Sequence, residues 1–254
     1  MAESELYLQR NQPEGVPPLA LTGERTLPDV PEENYWYQRH LVVYEWIARR
    51  VDGLHVVDVA SGEGYGADVL AARADSVLGI EPNPEAFDHA VARYPRVTFR
   101  RDIAETFVEE CDAVTFLQTI EHVEDPGAVL EHFKSQLRPG GTAYVSTPNL
   151  LTIAPEGAEK SSNPWHVKEY RAEEFRELCE AHFPHVEVLG LFHARKLRIH
   201  ELALRHARWD DVHAKLGLTR RFYDWFTPAI DARDFALQGT DLDKALDFLA
   251  VCHT

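Results

Sequence analysis

The sequence predicts an α/β protein: a doubly wound, mostly parallel sheet of seven strands, with a helical arm before it and a helical cap inserted ahead of the last strand. Three observations carry this. Short apolar runs of strand type alternate with helical patterns at βαβ spacing. Acids close successive runs, at Asp58, Glu81 and Asp102. The first run turns through glycines straight into a helical pattern, as Val56-Val57-Asp58-Val59-Ala60-Ser61-Gly62-Glu63-Gly64-Tyr65-Gly66.

Composition bounds the rest. At 254 residues and 44% hydrophobic, the chain is long enough for one sizeable core. The expected layout is therefore a single domain, with arm and helix at 1–53, a cofactor-binding core at 54–194, a cap at 195–243 and a last strand at 244–254. A formal charge of −16 repels nucleic acid rather than attracting it. No apolar run reaches the length of a membrane span, and the acidic start Met1-Ala2-Glu3-Ser4-Glu5 lacks a signal-peptide pattern, so the expected address is cytoplasmic. Cys111, Cys179 and Cys252 are scattered and read as buried small residues in a reducing compartment. A monomer and a homodimer both stay open.

In chain order, residues up to about 31 are rich in Pro, Glu and Gly and read as an extended arm, followed by a helix over 34–50 with Tyr37, Leu41, Tyr44 and Ile47 on one face. Strands are expected at 56–60, 76–80, 97–99, 112–117 and 142–147, separated by helices over 67–72, 84–93 and 127–136. Pro84 suits the start of its helix. Residues 150–163 form a long polar loop of the kind that shapes a site. A helix over 171–182, a sixth strand over 185–192, cap helices over 195–216 and 220–226, and a strand over 246–252 complete the chain.

Ligands on such sheets bind at the carboxyl ends of strands, where Asp58, Glu81, Asp102, Gln118 and Asn149 fall. Gly62 and Gly64 let backbone approach a ligand where a Cβ would clash, and the helix start offers unpaired N–H groups. Glu81, about 20 residues on, suits a ribose diol as acceptor. Asp102 and Ile103 suit an adenine, with the carboxylate at the exocyclic amine and the aliphatic wall on the ring face. The turn fits the dinucleotide pattern G-x-G-x-x-A, and equally D-x-A-S-G-x-G.

Asp58-Val59-Ala60-Ser61-Gly62-Glu63-Gly64-Tyr65-Gly66, Thr119-Ile120-Glu121-His122-Val123, Leu137-Arg138-Pro139-Gly140-Gly141 and Ser146-Thr147-Pro148-Asn149 resemble the small-molecule O-methyltransferases of the Rossmann-like class I fold, which use S-adenosyl-L-methionine (SAM). Leu21-Thr22-Gly23-Glu24-Arg25-Thr26, Glu33-Asn34-Tyr35-Trp36, Arg39-His40, Asn163-Pro164-Trp165-His166 and Gly190-Leu191-Phe192-His193 narrow the resemblance to actinobacterial sugar O-methyltransferases that modify polysaccharides. The resemblance implies that Ala60, Gly62 and Gly64 line the methionine portion and that Gln118 borders the sulfonium and the acceptor. It also implies that Tyr35, Tyr37, Arg39 or His40 closes over the methionine end. Ala60 stands where the family pattern has glycine, which ordinary backbone angles would tolerate.

An acceptor of this kind is a small-molecule sugar or oligosaccharide, a mannoside or glucoside of a methylated polysaccharide. A sugar hydroxyl is a poor nucleophile and needs a base or an electrophile. Glu121 and His122, after the fourth strand, and His166, after the fifth, are the candidate catalytic residues. A metal is the other expectation: related quinone O-methyltransferases hold magnesium on an E-x-x-E-H motif, which here reads Gln118, Glu121 and His122, with His166 as a further candidate ligand. Trp36, Trp165, Phe192 and Trp225 keep a phenolic or quinone-type acceptor open. A nucleic-acid methyltransferase lacks its basic strip, and a nicotinamide dehydrogenase lacks a catalytic acid pair. A binding module would hold SAM without turnover.

Overall fold

The computed structural model describes residues 6–7, 9, 13–22, 25–155, 157–207 and 219–254. The strands are β1 (Leu6–Tyr7), β2 (Leu19–Ala20), β3 (His55–Val59), β4 (Ser76–Ile80), β5 (Thr98–Arg100), β6 (Cys111–Leu117), β7 (Leu137–Pro148), β8 (His185–His193), β9 (Phe235–Gln238) and β10 (Asp247–His253). The α-helices are α1 (Asn34–Ala48), α2 (Tyr65–Ala71), α3 (Pro84–Arg93), α4 (Pro126–Gln136), α5 (Leu150–Ile153), α6 (Ala172–Glu180), α7 (Arg195–Ala207) and α8 (Thr219–Phe226).

The main sheet has eight strands in the order β5-β4-β3-β6-β7-β10-β8-β9. This corrects the expected seven. Pairing from β5 across to β7 is parallel, whereas β10 pairs antiparallel with both β7 and β8, and β9 antiparallel with β8. The extra strand comes from the segment expected to be helical cap. Phe235 packs its ring on Tyr35 at 5.5 Å, and this anchors a four-residue strand against Gly190–His193 of β8. The arm is also less extended than expected, since β1 and β2 pair as a small antiparallel sheet. Part of the expected 195–216 helix lies outside the described residues.

Period-2 alternation divides the core between the two faces. Val57, Phe116, Val145 and Phe248 pack toward Leu130 and Phe133 of α4 and Phe175 of α6. Val56, Ala113, Tyr144 and Leu249 pack toward Tyr44 and Ile47 of α1 and Leu70 of α2. Side chains cap the helices that lead away from the strand ends: Asn83 accepts from the Ala86 amide at 3.0 Å and Asp125 from the Ala128 amide at 3.0 Å. The three cysteines are free and buried. Among the described residues no helix is long and apolar enough to cross a membrane.

Candidate active site

The turn after β3 is shaped by three left-handed residues, Ala60 (φ 57°), Gly62 (φ 58°) and Gly64 (φ 98°). Ala60 therefore lacks the ordinary angles a side chain prefers; an alanine here carries about 1 kcal/mol of backbone strain. Ala60, Ser61 and Gly62 wall a cavity of about 100 Å³, together with Tyr44, Tyr65 and Gln118. A Cβ on Gly62 would enter open space, while one on Gly64 would fall 2.9 Å from Ala90 Cβ. Gly62 thus faces the cavity, and Gly64 lets α2 start tight against α3.

Glu81, at the end of β4, accepts from the Gly62 amide at 2.8 Å and the Asn83 amide at 2.9 Å. It fixes the glycine turn from the neighbouring strand. Asp58 is fully buried at the end of β3, where one oxygen accepts from the Thr115 hydroxyl at 2.5 Å and the Tyr44 hydroxyl at 3.3 Å. Its Oδ2 and the Ser61 hydroxyl have no hydrogen-bond partner among the described residues. Burial pushes Asp58 up to about 7 against those two hydrogen bonds, with the Glu81 charge adding to the rise. Past β5, Asp102 accepts from the Ile103 amide at 2.9 Å and Ile103 is 45% exposed, so both sit on an open rim rather than in the cavity wall.

A second cavity of about 480 Å³ adjoins the first, and Arg25, Thr26, His40 and Gln118 belong to both walls. Gln118 is left-handed (φ 52°), held by its amide and side chain to the Ser146 hydroxyl at 3.0 and 3.1 Å. Arg39 and Tyr37 are placed differently from each other. Arg39 is buried in an ion pair with Asp247 on the wall of the larger cavity, and Tyr37 packs edge-on to Tyr65 at 5.0 Å. Asn149, at the end of β7, donates to the Ala245 carbonyl at 2.8 Å and caps α5, so it staples loops and is not part of either wall.

Glu121, His122 and His166 meet on the larger cavity, with one donor atom from each lying within 4.8 Å of the others. Glu121 is buried and accepts from the Thr147 hydroxyl at 3.1 Å. Its backbone carbonyl takes the Val167 amide at 2.7 Å, which is how the loop carrying His166 is held against the strand ends. His122 Nδ1 faces the Trp165 carbonyl at 3.1 Å and so carries the proton, leaving Nε2 as its acceptor atom. His166 Nδ1 donates to Glu169 at 2.6 Å, while its Nε2 accepts from the Asn163 side-chain amide at 2.9 Å. Burial would raise Glu169, but the donors Ser161 and His166 outweigh it and hold the carboxyl below its ordinary range.

A methyltransferase-domain family matches residues 35–200 of the chain. A probable S-adenosylmethionine-dependent methyltransferase of Mycolicibacterium smegmatis is 38% identical over 253 residues, covering 92% of this chain and 94% of that protein. A probable enzyme of the same description from Mycobacterium tuberculosis is 35% identical over 247 residues, covering 92% and 89%. The chain belongs to the SAM-dependent methyltransferases. A ubiquinone biosynthesis O-methyltransferase of Leptothrix cholodnii is 33% identical over 130 residues, 45% of this chain and 55% of that one. The fold of a SAM-dependent methyltransferase of Thermotoga maritima covers 87% of this chain and 94% of that one with a TM-score of 0.59 at 17% identity.

The cradle of this methyltransferase fits its cofactor on its own chemistry. A buried carboxylate oxygen and a buried hydroxyl that lack partners among the described residues, beside a glycine with open space, suit a ligand rich in polar and cationic groups. Some of the site was not predicted. Thr26 donates or accepts across 3.2 Å to the Tyr65 hydroxyl and, with Arg25, roofs both cavities from the arm. Glu63, which reads as a turn residue, is buried and accepts from Gln9 at 3.0 Å and Tyr94 at 2.8 Å, with His89 Nε2 at 3.0 Å. The same His89 reaches the Pro17 carbonyl at 2.5 Å, so Glu63 clasps the arm to α3. An acid between two glycines of the turn was the available signal, and only the arm's return path gives it meaning.

Proposed function

We propose that the methyltransferase transfers the SAM methyl group to a hydroxyl of a sugar or oligosaccharide, a mannoside or glucoside of a methylated polysaccharide. One observation carries the reading: Gln118 stands in the wall of both cavities, so a donor held over Gly62 and Glu81 looks into a roomy cavity with both polar and apolar walls. Arg25, Glu33, Ser161 and Asn163 offer that cavity donors and acceptors for several hydroxyls, and Trp36, 45% exposed, offers a ring face for the apolar side of a pyranose. Asp102 and Ile103 take the adenine and Glu81 the ribose hydroxyls in this reading.

Methyl transfer from a sulfonium is an in-line displacement with a good leaving group already in place. The protein supplies alignment of oxygen, methyl carbon and sulfur, and a means of activating the hydroxyl. Glu121, His122 and His166 would hold a divalent ion, which would orient and acidify that hydroxyl. One carboxylate with two imidazoles suits a borderline ion better than magnesium, which prefers oxygen ligands. Without an ion, His122, or His166 once it gives up Asn163, would meet the hydroxyl directly.

The partial similarity to a ubiquinone O-methyltransferase favours a second reading, a phenolic or quinone-type acceptor. Transfer of labelled methyl from SAM to free and partly methylated mannosides and glucosides, and to catechols, separates the two. Running each reaction with excess chelator and with added magnesium, manganese or zinc tests the metal. Label on catechols alone would overturn the sugar reading, and full rate in chelator would overturn the metal.

A further inference from the structure

His40 projects from the second turn of α1 into both cavities. Among the described residues three others share that position, and none of the three can take a proton at neutral pH. Arg25 is permanently charged, Thr26 is a neutral hydroxyl, and the Gln118 amide is not basic. The other two histidines of the site touch the larger cavity alone. His166 has both ring nitrogens engaged, by Glu169 and Asn163, and His122 has Nδ1 turned to the Trp165 carbonyl. His40 makes no comparable hydrogen bond among the described residues.

We propose that His40 is the proton acceptor of methyl transfer. This rests on the hydroxyl-acceptor reading above. An acceptor oxygen forms its bond to the methyl carbon as the carbon–sulfur bond breaks, and the electron pair of that bond leaves on sulfur as a neutral thioether. The hydroxyl proton passes to a free ring nitrogen of His40, giving an imidazolium that later loses it to water. The positive charge of the sulfonium is thus carried off as the proton.

The surroundings of His40 suit this order of events. Burial holds its ring well below the ordinary range, at about 4, with Asp247 opposing and Arg39 reinforcing the shift. A neutral ring does not repel the incoming sulfonium. A base of this strength is weak toward a free hydroxyl but strong toward an oxygen that has begun to bond to methyl, because that oxygen becomes an acidic oxonium. The side chains that would hold a metal and the proton acceptor are then separate groups on the wall of one cavity.

The test uses the full-length protein in two arms. In the first, His40→Gln and His40→Ala are compared with wild type for labelled methyl transfer to the mannosides, glucosides and catechols. The expected result is a fall in kcat of about 10²- to 10⁴-fold with SAM affinity nearly unchanged, and partial rescue of His40→Ala by added imidazole. Wild-type kcat in both variants, or a loss that imidazole leaves untouched, overturns the proposal. In the second arm, the His40 ring resonance is followed while S-adenosylhomocysteine is added. A shift supports its place at the transfer site, and an unmoved resonance overturns it, even if wild type methylates none of the acceptors offered. Activity on catechols alone with the same His40 loss would remove the sugar acceptor and leave His40 standing.

Discussion

Arg39 and Asp247, 208 residues apart in sequence, share two hydrogen bonds, Nε to Oδ2 at 2.7 Å and Nη2 to Oδ1 at 2.5 Å. The pair joins α1 to β10 in the wall of the larger cavity. Burial opposes the guanidinium charge, but the facing carboxylate outweighs it and holds Arg39 above its ordinary range.

Asp247→Ala leaves that guanidinium buried without its carboxylate and is expected to lower stability by about 3–5 kcal/mol. Replacing both partners with apolar residues, as Arg39→Met with Asp247→Leu, is expected to recover most of the loss. Urea unfolding of the two variants measures this; equal stabilities would show that the charge is not what matters.

The strained turn gives a second expectation. Ala60→Gly relieves the left-handed strain but adds unfolded-chain entropy of about 0.4–1 kcal/mol, so stability should barely move. Ala60→Val adds a β-branch at φ 57° and should lose about 1–2 kcal/mol. Thermal midpoints of the two variants decide it, and an unchanged midpoint in the valine variant would refute the strain.

Glu81→Gln keeps the shape but removes the charge that receives the Gly62 and Asn83 amides. SAM affinity is expected to fall tenfold or more, about 1.4 kcal/mol. Calorimetry showing wild-type affinity would move the cofactor away from this cradle.

Asp58 sets a pH dependence. Its carboxyl titrates near 7 when folded and at about 3.9 when unfolded, so between those values the folded chain binds more protons. Stability from this group is greatest below about pH 4, falls as pH rises toward 7 and then levels, by at most about 4 kcal/mol in total. Asp58→Asn should remove the slope, which urea midpoints at pH 5 and pH 8 would show. A slope that survives the substitution would have another origin.

Local pattern made the cradle legible. The strand, glycine turn and helix start at 56–72, the acid Glu81 and the helix-starting Pro84 each rest on residues close in sequence. Glu121, His122 and His166 were legible as candidate ligands of one ion, but the contact that draws them together, the Val167 amide on the Glu121 carbonyl, was not. Partners distant in sequence stayed hidden: Asp247 for Arg39, and Gln9 for Glu63. The strand β9 was hidden for another reason. Four residues, Phe235–Gln238, carry too little alternation to stand out from a helical neighbourhood.

The stretch that marks kinship, 35–200, keeps Gly62, Glu81, Glu121 and His166 but stops short of Arg25, Thr26 and Glu33 on one side and Asp247 on the other. Four of the sixteen residues on the wall of the larger chamber therefore come from the flanks. A likeness confined to that stretch carries the methyl-donor cradle and leaves the flanking part of the chamber wall unmatched.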